Sequence, residues 1–190
     1  AFALSDANKD LINAWRVLRD VSPHVVMSNF PDNTEEEYMR VRASNPTNPI
    51  TRAVRFLYLN ATCFNGLYRE NKKGQFNVPY GKRYNLNYAS LLQGYTEYHD
   101  FMVSERLTIE QENHRKGSII TMDFAEWRGG PGRLFYFDPP YVPISKTSNF
   151  TAYGKDGFGM DAQRRLAHHA RSLADVGSHV VLSNSSAPEV

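Results

Sequence analysis

The sequence is short of the features that most quickly assign a protein to a class. It has one cysteine, Cys63, which excludes an internal disulfide and leaves no cysteine pair for a zinc site. Its six histidines show no metal-ligand spacing: His168 and His169 are adjacent and would point different ways on a helix, so both read as helix or surface residues and no metal is expected. No apolar run approaches the roughly 20 residues of a membrane span. The amino terminus lacks a basic segment followed by an apolar stretch, so a soluble protein in a reducing, cytoplasmic setting is the default expectation. A large charge excess is missing too. The formal net charge of +2 is too small to name a partner, and any nucleic-acid reading must rest on where the charges lie.

What is present suits one globular domain of ordinary size: 190 residues, 41% hydrophobic and 13% aromatic, enough to bury a core. "FALSD" at 2–6 reads as a short strand, and the segment behind it places Leu11, Ile12, Trp15 and Leu18 on one helical face, with Asp6 at the junction. Residues 33–60 look helical, with a solvated acidic run at Glu35, Glu36 and Glu37, then an amphipathic stretch through Val54, Leu57 and Tyr58, for which Pro49 suits a helix start. "GSIITMD" at 117–123 and "RLFYFD" are further strand candidates. A helix is expected over 161–177, with Asp161 as N-cap, Leu166, Ala170 and Leu173 on one face and Gly177 at the C-terminal position, before "HVVLSN" returns to strand. Strands alternating with helices indicate a mostly parallel α/β sheet.

Two stretches carry chemistry. The first, Cys63 to Tyr88, has Arg69, Lys72, Lys73, Lys82 and Arg83 opposed only by Glu70, interleaved with Phe64, Tyr68, Phe76, Tyr80, Tyr84 and Tyr88. Basic groups suit phosphates and aromatic rings suit unstacked bases, while Gly66, Gly74, Pro79 and Gly81 break the stretch into loops and a short hairpin. An exposed hairpin kept soluble by its lysines has the same composition. The second is "FYFDPPYVP" at 135–143. Phe135, Tyr136 and Phe137 have the character of a buried strand, and Pro139 and Pro140 cannot donate ladder hydrogen bonds and so lie beyond its end. Asp138 then stands at the carboxyl edge of the strand, where open α/β sheets bind ligands. A strand-end turn capped by Asp138 is the structural alternative.

The D-P-P-Y run resembles the catalytic motif of amino-methyltransferases acting on adenine or cytosine in DNA. The likeness extends further: "FLYLNATCFNGLYRENKKGQFNVPYGKR" and "FDPPYVPISKTSNFTAYGKDGFG" resemble the DNA adenine methyltransferase (Dam) family, including its GATC-directed members, and it runs from "LSDANKDLINAW" to "VVLSNSSAPE". The resemblance implies an α/β fold with a Rossmann-like methyltransferase sheet, incomplete as given, formed by residues 1–30 and 115–190. Residues 31–114 would be an inserted helical and hairpin segment for target recognition. It also implies S-adenosylmethionine as cofactor and double-stranded DNA as partner, with no membrane or metal involved. The setting would be cytoplasmic: the nucleoid of a bacterial cell or a phage-infected host. Regulatory, repair-linked, phage-borne and restriction-modification members are all covered.

Residue roles follow from the same likeness. An adenine inside a duplex is out of reach and must be flipped into a pocket. The Asp138 carboxylate and the Pro139 carbonyl would accept the two N6 hydrogens, Tyr141 would stack on the flipped ring, and Pro139 with Pro140 would hold the loop rigid. Asp6 would bind the cofactor ribose, with a helix N-cap as its structural alternative. Asp123 and Phe124 would lie near the cofactor adenine, or else be a strand terminus with a buried ring. Asp138 also borders the cofactor. Phe64 and Asn65 would approach the flipped base, Arg69 would read guanine O6 and N7, Leu67 and Pro79 would meet a thymine methyl, Lys82 would contact phosphate, and Asn77 belongs to the same DNA-binding set. Ser148, Asn149 and Phe150, in "TSNFTAY", would close over the nucleotide, or else form a surface loop.

Family members begin with a lysine-containing segment and a glycine-rich F-x-G-x-G loop, and neither precedes Ala1; the chain also stops at Val190, before the final strands. These residues are therefore expected to be part of a larger protein. Were Ala1 the native start, the alternative would be a DNA-binding protein that retains the recognition hairpin but lacks transfer activity.

Overall fold

The computed structural model describes residues 2–82, 85–111, 118–142 and 158–187, the stretch 105–111 by its backbone alone. Its elements are β1 (Ala3–Asp6), α1 (Lys9–Asp20), α2 (Pro23–Ser28), α3 (Glu35–Ala43), α4 (Pro49–Thr62), α5 (Tyr88–Gln111), β2 (Ser118–Thr121), β3 (Leu134–Phe137), α6 (Met160–Asp175) and β4 (His179–Leu182). The chain divides into two compact units: Ala1–Tyr68 with Asn77–Met122, and Arg69–Phe76 with Asp123–Val190. Among the described residues no helix is long and apolar enough to cross a membrane.

In the first unit, β1 and β2 run parallel, in register from Ala3 opposite Ser118 to Asp6 opposite Thr121. Helix α1 begins where the Asn8 side chain accepts hydrogen bonds from the N–H groups of Asp10 (2.9 Å) and Leu11 (3.1 Å), and Asp10 adds negative charge to the first turn, where the helix dipole favours it. Its face of Ala14, Val17 and Leu18 is buried with Val26, Ala53, Val54 and Leu57. Full burial of each larger aliphatic side chain contributes about 1.5–3 kcal/mol. The Trp15 ring packs on Tyr98 of α5 at 4.5 Å between centroids.

The helical expectation for 33–60 resolves into two helices separated by residues 44–48. The break has a local cause: Asn45 and Asn48 each precede a proline, which disfavours helical backbone at both, and Asn48 then caps α4 with Pro49 at its start. The acidic run occupies the first turn of α3 behind the Thr34 cap, where negative charge is favoured by the helix dipole.

In the second unit, β3 and β4 are parallel, in register from Leu134 opposite His179 to Phe137 opposite Leu182. The parallel pairing agrees with the sequence, and the described strands form two separate pairs, consistent with a sheet that is incomplete as given. Helix α6 corrects the expected N-cap. It starts one residue before Asp161, with Gly159 in the cap position, and Asp161 instead pairs with Arg164 at 3.1 Å in the first turn. Leu166 and Leu173 are buried, and Gly177, at φ +89°, ends the helix in the left-handed region that glycine enters without strain.

Candidate functional site

Asp138 follows β3 directly, at the carboxyl end of a strand in a parallel pair. Ser183, the first residue after β4, donates its hydroxyl proton to Asp138 Oδ1 at 2.6 Å. The loop beyond is tied down by side chains from two elements. Gln163 of α6 donates through Nε2 to the Pro140 carbonyl at 2.7 Å, Asn184 donates through Nδ2 to Gln163 Oε1 at 3.0 Å, and Asn184 Oδ1 accepts from the Val142 N–H at 3.1 Å. Ser185 Oγ donates to the Val142 carbonyl at 2.6 Å. Pro139 and Val142 are buried, while Tyr141 is 49% exposed. A rigid loop thus presents one carboxylate and one open aromatic side chain.

Asp123 and Phe124 lie in the same unit. Asp123 caps a short 3-10 turn, Phe124–Glu126: its Oδ1 accepts from the Ala125 N–H at 2.9 Å, and Glu126 answers on the Asp123 N–H at 3.0 Å. Its Oδ2 pairs with Arg165 of α6 at 2.7 Å, and the Arg165 guanidinium also lies 4.7 Å from the centroid of the Phe124 ring. The rings of Phe158 and His169 flank Phe124 at 5.9 and 6.2 Å, and His169 lies 6.4 Å from the Phe137 ring. His169 Nε2 is buried without a hydrogen-bond partner among the described residues. Expected as a plain helix or surface residue, His169 instead sits among aromatic rings with an unsatisfied polar atom.

Asp6 ends β1 in the other unit. Its Oδ1 accepts from the Asn8 N–H at 2.6 Å, so it braces the residue that caps α1 and is not itself the cap. In that unit the structure also brings together most of the candidate DNA-contacting residues. The Phe64 N–H donates to the Pro79 carbonyl and the Gly81 N–H to the Thr62 carbonyl, both at 2.9 Å, joining the Phe64–Asn65 turn to the Pro79–Lys82 segment. Buried Tyr38 donates its hydroxyl to the Val78 carbonyl at 2.9 Å, and Arg42 donates to the same oxygen at 3.1 Å. On this support Phe64 is 50% exposed, Pro79 and Lys82 are exposed, and Leu67 and Asn77 are half-buried. Asn65 and Lys82 both adopt left-handed backbone, at φ 54° and 53°, which asparagine tolerates and lysine adopts at a cost.

Arg69 is exposed and belongs to the other unit, in a short segment bridged between Glu70 and Phe76. Its turn is set by Asn71, whose Oδ1 accepts from the N–H groups of Lys73 (2.9 Å) and Gln75 (3.1 Å), with Gly74 at φ +72°.

Of the described aromatic residues in 63–88, Phe64 and Tyr88 are exposed, but three others are not open for stacking. Tyr80 is buried with its hydroxyl donating to the Asn33 carbonyl at 3.0 Å, Phe76 is buried, and Tyr68 packs on Phe56 at 5.6 Å. Arg83, Tyr84, Ser148, Asn149 and Phe150 lie outside the described residues. Sequence reasoning missed Ser183, Asn184, Gln163, Arg165 and His169. For the first two a signal existed: like Asp138, they are polar residues immediately beyond the end of an apolar strand.

Comparison with known proteins identifies the family. The chain is 35% identical over 97% of its length to a type II methyltransferase of Lactococcus lactis subsp. cremoris, 65% of which is covered. It is 34% identical over 92% of its length to a DNA adenine methylase of Serratia marcescens, covering 63% of that protein, and 35% identical over 98% of its length to a DNA N-6-adenine-methyltransferase of Escherichia phage P1, covering 24%. The chain thus spans just under two thirds, or less, of the length of these relatives. Residues 2–190 match the model of one family throughout, and the chain belongs to that family, the D12 class N6 adenine-specific DNA methyltransferases.

Proposed function

We propose that this chain carries the catalytic motif and target-recognition segment of an S-adenosylmethionine-dependent enzyme that methylates N6 of a flipped adenine in duplex DNA, within GATC. Family membership supports the reaction class. The observation that carries the site assignment is positional: Asp6 ends β1, Asp123 stands two residues beyond β2, and Asp138 directly follows β3, so every candidate carboxylate is at the carboxyl end of a strand in a parallel pair. That is the edge at which Rossmann-like sheets bind ligands. In this reading residues 1–30 and 115–190 form the catalytic part and 31–114 the target-recognition part.

Adenine N6 is a poor nucleophile because its lone pair is delocalised into the ring. The Asp138 carboxylate and the Pro139 carbonyl accept its two hydrogens, favouring a pyramidal nitrogen whose lone pair is available for the new N–C bond; the methyl–sulfur bond would break as that bond forms, leaving a neutral thioether, and one N6 proton would pass by way of the exposed Asp138 carboxylate to solvent. Tyr141, already half-exposed, stacks on the flipped base. Because the loop is held by Gln163, Asn184 and Ser185 before any substrate arrives, the acceptors need little reorganisation, which is how positioning and electrostatics lower the barrier. S-adenosylmethionine would supply an electrophilic methyl group; Asp6 would hold its ribose, and Asp123 with Phe124 its adenine. Arg69 reads guanine through a bidentate contact, Leu67 and Pro79 meet the thymine methyl, Phe64, Asn65 and Asn77 line the approach to the base, and Lys82 meets phosphate.

The test uses the full-length protein that contains this chain. Labelled methyl transfer from S-adenosylmethionine is measured on matched duplexes with and without one GATC, and the modified nucleoside is identified. N6-methyladenine confined to the GATC duplex supports the assignment. Binding without transfer refutes the catalytic part, and transfer independent of GATC refutes the target.

A further inference from the structure

We propose that Ser183 and the Asn184–Gln163 pair are positioning residues that determine which acceptors of the Asp138–Tyr141 loop stay open to the target amino group. The proposal rests on the function proposed above. A loop with two consecutive prolines has two fewer N–H groups with which to anchor itself, so restraint must come to its carbonyls from outside. The side-chain relay supplying it has only one possible polarity. At one end the Pro140 carbonyl can only accept, and at the other the Val142 N–H can only donate. The amide groups of Gln163 and Asn184 are therefore forced into the order observed, N–H to Pro140, N–H to Gln163, and oxygen to Val142, at 2.7, 3.0 and 3.1 Å.

Ser183 selects within the carboxylate. Its single hydroxyl proton has two acceptors in range, Asp138 Oδ1 at 2.6 Å and the Phe137 carbonyl at 3.3 Å, and the shorter, charge-assisted bond takes it. Tyr136 donates to the Ser183 oxygen at 3.4 Å, which leaves the Ser183 proton directed at Asp138. Oδ1 of Asp138 and the carbonyls of Pro140 and Val142 are thereby engaged. Among the described residues no hydrogen bond ends on Asp138 Oδ2 or the Pro139 carbonyl, the two acceptors that the transfer chemistry requires. Ser183 also fixes the carboxylate rotation, so Oδ2 cannot exchange with Oδ1 without breaking its bond.

The experiment compares Ser183→Ala, Ser183→Thr and Asn184→Asp in the full-length protein. The readouts are single-turnover methylation, KM for duplex, and the fluorescence of 2-aminopurine at the target position, which reports base extrusion without the chemistry. Ser183→Ala is expected to lower the transfer rate about tenfold or more, with KM and 2-aminopurine fluorescence within about twofold of the unsubstituted protein. Ser183→Thr, which keeps the hydroxyl, restores the rate to within a few-fold. Asn184→Asp sets an oxygen against Gln163 Oε1 and lowers the rate in the same way. An unchanged rate in Ser183→Ala, or a loss that threonine does not restore, overturns the proposal while leaving the enzyme assignment standing. Absence of transfer by the unsubstituted protein overturns both.

Discussion

Replacing Gly81 with alanine tests whether the contact between the Phe64 turn and the Pro79–Lys82 segment is as close as the structure has it. A Cβ at Gly81 would run into the Cys63 carbonyl oxygen, with the carbonyl carbon 2.7 Å and the Thr62 carbonyl oxygen 2.9 Å away. All three neighbours are backbone, so no side chain can swing aside. The Gly81 N–H to Thr62 bond, 2.9 Å long, must lengthen as the segments part. Overpacking of this kind costs on the order of 1–3 kcal/mol, and at about 2–4 °C per kcal/mol for a chain of this size Tm should fall by roughly 2–12 °C. The control is Gly94, inside α5, where an added Cβ meets nothing within 4 Å. Alanine there should stabilise by about 0.5–1 kcal/mol through helix propensity. Urea denaturation of the two variants should move in opposite directions. A Gly81→Ala protein as stable as the parent would refute the close approach, and with it the account of how Phe64 and Lys82 are held together.

Burial pushes the Tyr58 and Tyr95 phenols up from the usual 10 to about 12, so the folded state keeps protons that the unfolded chain releases. Their contribution to stability is complete below pH 10 and is lost as pH rises toward 12; denaturation midpoints at pH 9, 10.5 and 11.5 should fall in that order, with tyrosinate absorbance rising on unfolding, and a flat profile would contradict the burial. Arg165→Ala removes both the ion pair to Asp123 and the cation over Phe124 and should weaken S-adenosylmethionine binding in calorimetry at least several-fold, whereas Arg165→Lys retains part of it; equal affinity in all three would remove Phe124 from the cofactor site. Arg69→Ala should cost about 1–3 kcal/mol of discrimination at the guanine position, while Lys82→Ala should weaken all duplexes alike and reduce the salt dependence of binding by about one ion. Competition binding across single-base variants at several salt concentrations separates the two, and identical profiles would remove Arg69 from base reading.

Much of this could be read from local pattern. The four strands, the start of α4 at Pro49 and the end of α6 at Gly177 follow from hydrophobic period and from residues with fixed backbone preferences. Asp138 was legible because two prolines can only mean that its strand has ended. Properties set by tertiary contact were not legible. Tyr80 and Phe76 have the composition of stacking residues, but the Asn33 carbonyl and the buried interior hold them. Gly159 took the cap position from Asp161, although glycine is the weaker capping signal, because Met160 is already helical. Gln163 and Arg165 sit two positions apart on α6, and nothing in their spacing marks one for the Pro140 carbonyl and the other for Asp123.

The central claim is that the Asp138 loop performs methyl transfer to adenine N6. The most direct test is single-turnover transfer by the full-length protein and its Asp138→Ala variant on a duplex with one target adenine, with the nucleosides resolved by mass spectrometry. The account predicts N6-methyladenine from the parent and a loss of at least a hundredfold in the variant, with S-adenosylmethionine affinity changed far less. Transfer by Asp138→Ala at the parent rate, or methyl appearing on cytosine, would contradict it.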